Sequence, residues 1–194
     1  MTRPALVIVS GPPASGKTTL ARPLALALGM PLLAKDAIKE RIADALGPAA
    51  AKTAGAIGLA AILTLYDAAR EIIAAGQPVV IESFFHRGTS EPDLAPLVGM
   101  ANAVLIHCTA DEDTVLRRFA DRIDAPDRHG IHGDARRVDD LRAYLANGTT
   151  DPLDLPIPRL LIDTTTQFPD PSDVARRVRR MLNDHAALVV QPQS

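Results

Sequence analysis

The segment ALVIVSGPPASGKTTLA, residues 5–21, constrains the fold more than any other stretch of the chain. Its first part is a short, continuously apolar run, as in a strand covered on both faces. The run enters a loop with two glycines and two prolines, and a helical pattern follows directly and continues to Leu28 before Gly29 stops it. Residues 11–18 fit the pattern G-x-x-x-x-G-K-[ST] between a strand and a helix, the context its mechanism requires. Glycines let successive amides converge on phosphate oxygens, and the helix N-terminus adds positive potential. The expected ligand is a nucleoside triphosphate, ATP or GTP, gripped by Gly11, Pro12, Pro13, Ala14, Ser15, Gly16, Lys17, Thr18 and Thr19. Lys17 is expected to reach the β- and γ-phosphates, and the Thr18 hydroxyl to hold Mg²⁺.

Strand-like and helix-like stretches alternate along the rest of the chain. MPLLAKD suggests a second strand, with Asp36 as the cap of the helix DAIKERIADAL. Ile62, Tyr66, Ala69 and Ile73 share one face of a helix expected over about 56–75 and ended by Gly76. QPVVIES, ANAVLIHC and RLLID give three further strands. DEDTVLRRFADRI is a helix with acids first and arginines later, as the helix dipole favours, and PSDVARRVRRMLNDHAAL is a closing helix. The pattern predicts an α/β three-layer sandwich, with a mostly parallel five-stranded sheet between two helical layers and ligands bound beyond the C-terminal strand ends. Gly11, Asp36, Glu82, Thr109 and Asp163 all fall at expected strand exits. One domain over residues 1–194 is the expectation, with no internal repeat.

Composition narrows the partners. With 47% hydrophobic residues the chain can bury a core, but only 3% are aromatic, too few for a surface that stacks single-stranded bases. A net charge of −2 gives no general attraction to nucleic acid or anionic lipid, so no long nucleic acid is expected. The lone Cys108 precludes an internal disulfide and suits a reducing compartment. The first ten residues leave no room for a signal peptide, and the apolar stretch around Ala54 to Tyr66 stops at Asp67, short of the roughly 20 residues of a membrane span. A soluble cytoplasmic protein, monomeric or a small homo-oligomer, is expected.

Three clusters bear on what happens to the triphosphate. The carboxylate of Asp36, beside the phosphate loop, suits acceptance of a proton from an attacking hydroxyl, with Lys39 on the same side one turn later; an N-cap with a solvated charged face accounts for it equally well. Glu82 suits the Mg²⁺ shell or a substrate contact, against the plainer role of a polar strand end. Residues 117–137, RRFADRIDAPDRHGIHGDARR, carry Arg118 and Arg122 four apart on a helix and then Arg128, His129 and His132 in a glycine-containing loop. An arginine-bearing lid over about 118–137 is expected, able to close over the γ-phosphate. The two histidines lack the carboxylate and histidine partners at helical spacing that a metal site needs, and lid contacts or structural roles suit them better.

These motifs together resemble the P-loop kinases of the group containing polynucleotide 5′-hydroxyl kinases, zeta-type toxins and chloramphenicol phosphotransferases, many of them known only as AAA-type ATPases. The resemblance rests on GPPASGKTTLA, KDAIKE, VVIESFF, LIHCTADEDTVLRRFADR and IDTT, and covers nearly the whole chain. It implies Asp36 as general base, Lys39 as a substrate contact where the polynucleotide kinases have arginine, and Arg118 and Arg122 as contacts to ATP phosphates. Glu82 and Arg128 complete the expected substrate contacts.

The leading expectation is therefore an ATP- and Mg²⁺-dependent kinase acting on a hydroxyl of a small-molecule or short nucleotide-like acceptor. A nucleotide kinase of adenylate kinase type is the nearest alternative, although an anionic acceptor would want arginine where Asp36 stands. An ATP-hydrolysing switch is the alternative of another class. Against it, no strand of four apolar residues followed by paired acids is present, and little sequence remains for a sensor domain.

Overall fold

The computed structural model describes residues 3–123, 125, 128–133 and 138–189. Five strands, β1 (Ala5–Ser10), β2 (Leu32–Ala34), β3 (Val79–Glu82), β4 (Asn102–Thr109) and β5 (Arg159–Asp163), form one sheet in the order β2-β3-β1-β4-β5. Every pairing is parallel. Seven α-helices occur among the described residues: α1 (Lys17–Leu28), α2 (Lys35–Leu46), α3 (Ala54–Ala74), α4 (Glu91–Met100), α5 (Glu112–Ile123), α6 (Val138–Ala146) and α7 (Pro171–Val189).

The period of two along each strand divides the core. Leu6, Ile8, Ile81 and Leu105 face α3 and α4, packing with Leu65, Ala69, Leu94 and Leu97. Val7, Val9, Val104 and Ile106 face the other way, toward Leu20 and Leu24 of α1 and Val174 and Val178 of α7. Both faces of β1 are thus dry, which is why its sequence is continuously apolar rather than alternating. Because the strands are parallel, their C-terminal ends share one edge: Glu82 pairs in register with Ala34 and Val9, and Thr109 with Asp163.

Three features depart from the sequence expectations: the cap of α2 and the helices α4 and α6. Helix α2 begins at Lys35, directly after β2, and its cap position is Ala34 in extended geometry with no side-chain hydrogen bond. Asp36 is therefore not the cap; it lies in the first turn, where its charge favours the positive end of the helix without folding back onto the amides. Helix α3 runs 21 residues, close to the expected span, and passes Asp67, which lies on its exposed side and accepts a hydrogen bond from Arg70 at 2.7 Å. By length and composition the run Lys35–Ala74 could cross a membrane; in the fold, Leu65, Tyr66, Ala69 and Ile73 of α3 are core residues. Helices α4 and α6 carry no strong sequence signal, α4 because Pro92 and Pro96 break its pattern and α6 because it is nine residues long.

Candidate active site

The phosphate loop sits in the crevice between β1 and its neighbours, where the order of strands reverses. Gly11 leaves β1 with φ 141°, and a Cβ there would lie 2.1 Å from the Cys108 carbonyl oxygen of β4. Only glycine lets the loop turn this close to the sheet. Ala14 holds a left-handed φ of 64° inside a turn closed by the Ser15 amide on the Pro12 carbonyl at 3.2 Å. That strain is of the kind seen where a backbone is shaped for a ligand. At Gly16 an added Cβ would stand 2.6 Å from the Phe168 ring.

Lys17 opens α1 and is buried, its Nζ donating to the Pro12 carbonyl at 3.3 Å. Burial lowers its pKa from the usual lysine range, opposed by the nearby carboxylates of Glu82 and Asp36. Thr18 donates its hydroxyl hydrogen to Glu82 Oε1 at 3.2 Å, and Glu82 is buried at the end of β3. Burial raises the Glu82 pKa, Lys17 draws it back and Asp36 adds to the rise. For Asp36 burial also pushes upward, but Lys35, His132, Lys17 and Arg128 together outweigh it and hold the carboxyl below its ordinary range. At neutral pH Asp36 is therefore an ionised acceptor, half-buried and 3.6 Å from the Lys35 ammonium.

One cavity of about 70 Å³ brings Lys17, Asp36, Glu82, Arg122 and Arg128 to a common wall. Arg122 stands over the Phe119 ring, 4.6 Å from its centroid. Arg118 does not line this cavity. It lines the adjoining groove along Gly16, Thr18, Thr19 and Phe168, and its guanidinium donates to the Thr164 hydroxyl and carbonyl at 3.0 and 2.7 Å. Lys39 is outside both; it is buried, with its Cε about 4.0 Å from where a Cβ on Gly58 of α3 would stand. Of the expected lid, Asp124, Pro126, Asp127 and residues 134–137 lie outside the described residues.

The sequence reading missed one wall of the cavity. Phe84 and His86 after β3 and Tyr144 of α6 form a ring cluster, with centroids 4.2 Å apart for Phe84 and His86 and 5.0 Å for His86 and Tyr144. The signal available was the concentration of scarce aromatics just after VVIES, in a chain with four Phe and two Tyr. Thr164 was missed as well, although its hydroxyl bonds the Ser15 carbonyl at 3.0 Å and ties β5 to the phosphate loop.

The oxygen donors Thr18 and Glu82 beside the loop fit a hard divalent cation such as Mg²⁺. Among the described residues no three His, Cys, Asp or Glu side chains gather into a metal cage, so such an ion would share its coordination with phosphate oxygens and water.

A parallel sheet with the phosphate loop at its switch point defines an α/β nucleotide-binding protein of the P-loop kinase fold. The AAA domain family model matches residues 6–147, and the chain belongs to that family. A candidate kinase from Chloroflexus aurantiacus J-10-fl is 36% identical, with a TM-score of 0.83 over 93% of this chain and 99% of that one. A sugar kinase from Janibacter sp. HTCC2649 has a TM-score of 0.59 at 18% identity, covering 97% of this chain and 98% of its own. A gluconokinase from Sinorhizobium meliloti 1021 has a TM-score of 0.57 at 18% identity, covering 97% of each chain. These last two are likenesses of fold. No protein of curated function matches the sequence.

Proposed function

We propose that the protein is an ATP- and Mg²⁺-dependent kinase that transfers the γ-phosphate to a hydroxyl of a small-molecule or short nucleotide-like acceptor. The observation that carries this reading is the ionised Asp36 in the same cavity as Lys17 of the phosphate loop. The 36%-identical candidate kinase supports it, and the group likeness of the KDAIKE motif points the same way.

In this reading the loop amides and Lys17 hold the triphosphate, and Thr18 and Glu82 hold Mg²⁺, whose bound charge would neutralise the phosphate oxygens. Arg122 and Arg128 face the transferring group, and Arg118 steadies the nucleotide from the adjoining groove. The acceptor oxygen bonds to the γ-phosphorus as the bond to the bridging oxygen breaks, and Asp36 takes the hydroxyl proton. Phe84, His86 and Tyr144 supply an aromatic wall for the rest of the acceptor. The cavity is smaller than the few hundred Å³ usual for small-molecule sites, so the segment from Arg118 onward acts as a lid that opens to admit the acceptor.

The test is Asp36→Asn. A carboxylate that takes the acceptor proton predicts a loss of γ-phosphate transfer of roughly 100-fold or more with ATP affinity retained. Labelled transfer over sugars, antibiotics, nucleosides and 5′-hydroxyl oligonucleotides, paired with calorimetry of Mg·ATP binding, measures both. Unchanged transfer refutes the base assignment.

A further inference from the structure

The kinase reading leaves His132 without a part, although it is built closely into the cavity wall. Its side chain is almost wholly buried, and Nε2 lies 2.6 Å from Glu40 Oε1. A carboxylate only accepts, so the ring hydrogen belongs on Nε2. The other nitrogen, Nδ1, then carries a lone pair and faces Asp36 Oδ2 at 4.0 Å. Asp36, Glu40 and Asp44 are spaced four apart on α2 and share one face, and the loop of residues 128–133 answers them with histidines. His129 Nε2 reaches Asp44 Oδ1 at 3.2 Å while its Nδ1 accepts the Ile131 amide at 3.1 Å. Ile131 seats the loop in an apolar socket with Ala43, Ala50 and Ile57.

We propose, resting on the kinase reading, that His132 is the positioning residue of Asp36 and the group to which Asp36 passes the acceptor's proton. As the acceptor oxygen bonds to the γ-phosphorus and the bridging bond breaks, the hydroxyl proton moves to Asp36. It then moves to His132 Nδ1, leaving an imidazolium between the carboxylates of Asp36 and Glu40, and goes to water when the loop lifts for product release. The second transfer needs the nitrogen and oxygen to close by about 1 Å to hydrogen-bond distance. An imidazole ordinarily binds a proton more tightly than a carboxylate does, and Asp36 is itself held below its ordinary range by the surrounding cations. Burial holds His132 below its ordinary pKa, opposed by the Glu40 hydrogen bond and by Asp36 and reinforced by Arg128 and Lys39. The ring is thus neutral and ready to accept at neutral pH. Among the described residues, His129 on the same loop, Asp44 of α2 and Asp140 of α6 also lie near it.

His132→Gln separates this role from simple docking of the loop, because the glutamine amide still donates to Glu40 but offers no basic nitrogen to Asp36. Phosphate release from Mg·ATP, with water in the acceptor's place, is followed against pH for wild type, His132→Gln and Asp36→Asn. The expected result for His132→Gln is an unchanged melting temperature and Mg·ATP affinity, about tenfold slower turnover, and loss of the acid limb that lies below pH 6.5 in the wild type. If Asp36→Asn is slow while His132→Gln keeps wild-type turnover and limb, the relay is overturned and the kinase reading stands. If Asp36→Asn is unimpaired, both fall together. Should His132→Gln melt early or phosphate release be too slow to follow, ¹⁵N spectra of the wild-type imidazoles with Mg·AMPPNP decide. A neutral Nε2–H tautomer at pH 8 whose titration midpoint drops in Asp36→Asn supports the relay, and any other tautomer or an unmoved midpoint overturns it.

Discussion

Replacing Gly11 by alanine tests whether the phosphate loop owes its shape to contact with the sheet. The new Cβ would stand 2.1 Å from the Cys108 carbonyl oxygen, whereas a carbon–oxygen contact needs about 3.3 Å or more. That carbonyl belongs to β4, which pairs on both sides and cannot retreat by the missing ångström alone. Overpacking of this kind costs about 1–3 kcal/mol. The φ of 141° at Gly11 adds strain of about 1–3 kcal/mol for a residue with a Cβ. The sum, about 4 kcal/mol, is a large share of a typical 5–15 kcal/mol stability and corresponds to a melting temperature lower by about 8–16 °C in a chain of this size. Gly29→Ala is the internal control, because its φ of 71° brings strain but nothing lies within 4 Å of the added carbon. It should cost about 1–2 kcal/mol. Thermal and urea unfolding of both variants give the difference, and calorimetry with Mg·ATP should show nucleotide affinity lost only for Gly11→Ala. If the two variants unfold alike, close approach of the loop to β4 is not what requires glycine there.

Two further predictions concern the α5 arginines and a buried histidine. Arg122→Ala should lower turnover at least tenfold with little change in ATP affinity, and Arg118→Ala should weaken nucleotide binding more than turnover, since the first lines the cavity with Asp36 and the second only the adjoining groove; equal effects on both parameters for both variants would refute the division. His107 is buried in β4, its Nδ1 has no hydrogen-bond partner among the described residues, and burial lowers its pKa to about 4 from the ordinary 6.5. The unfolded chain then binds a proton that the folded one refuses, so stability falls as pH drops from 6.5 to 4. His107→Leu should remove up to about 3 kcal/mol of that loss in urea unfolding across the window, and parallel curves for the two proteins would refute it.

Much of the architecture was legible because short-range chemistry carries it. The apolar run of β1, the glycine-rich turn and the helix start at Lys17 are contiguous, and each has its own local cause: two-sided burial, φ freedom and the helix N-terminus. The alternation of such units was enough to predict a parallel sheet with Asp36, Glu82 and the loop at one edge. Helix α4 was not legible because two prolines and a weak apolar face hide it, and it is held by packing of Leu94 and Leu97 on the sheet. The cap assigned to Asp36 failed for a related reason: an acid near a helix start suits the cap and the first turn alike, and only the path of β2 decides which.

Sequence alone singled out the phosphate-loop pattern, since its eight positions are consecutive in the chain. The tertiary structure decided which side chains share a cavity, because that depends on residues far apart in the chain. Arg118 and Arg122 sit one turn apart, yet Arg118 is drawn to Thr164 of the segment after β5. Lys39 follows Asp36 by three residues, yet it lies against α3. His132 is 92 residues from Glu40 and meets it only because Ile131 seats the loop on α2. Local pattern fixes the direction of each side chain on its own element, but packing of apolar faces sets how the elements are placed, and that placement assembles the site.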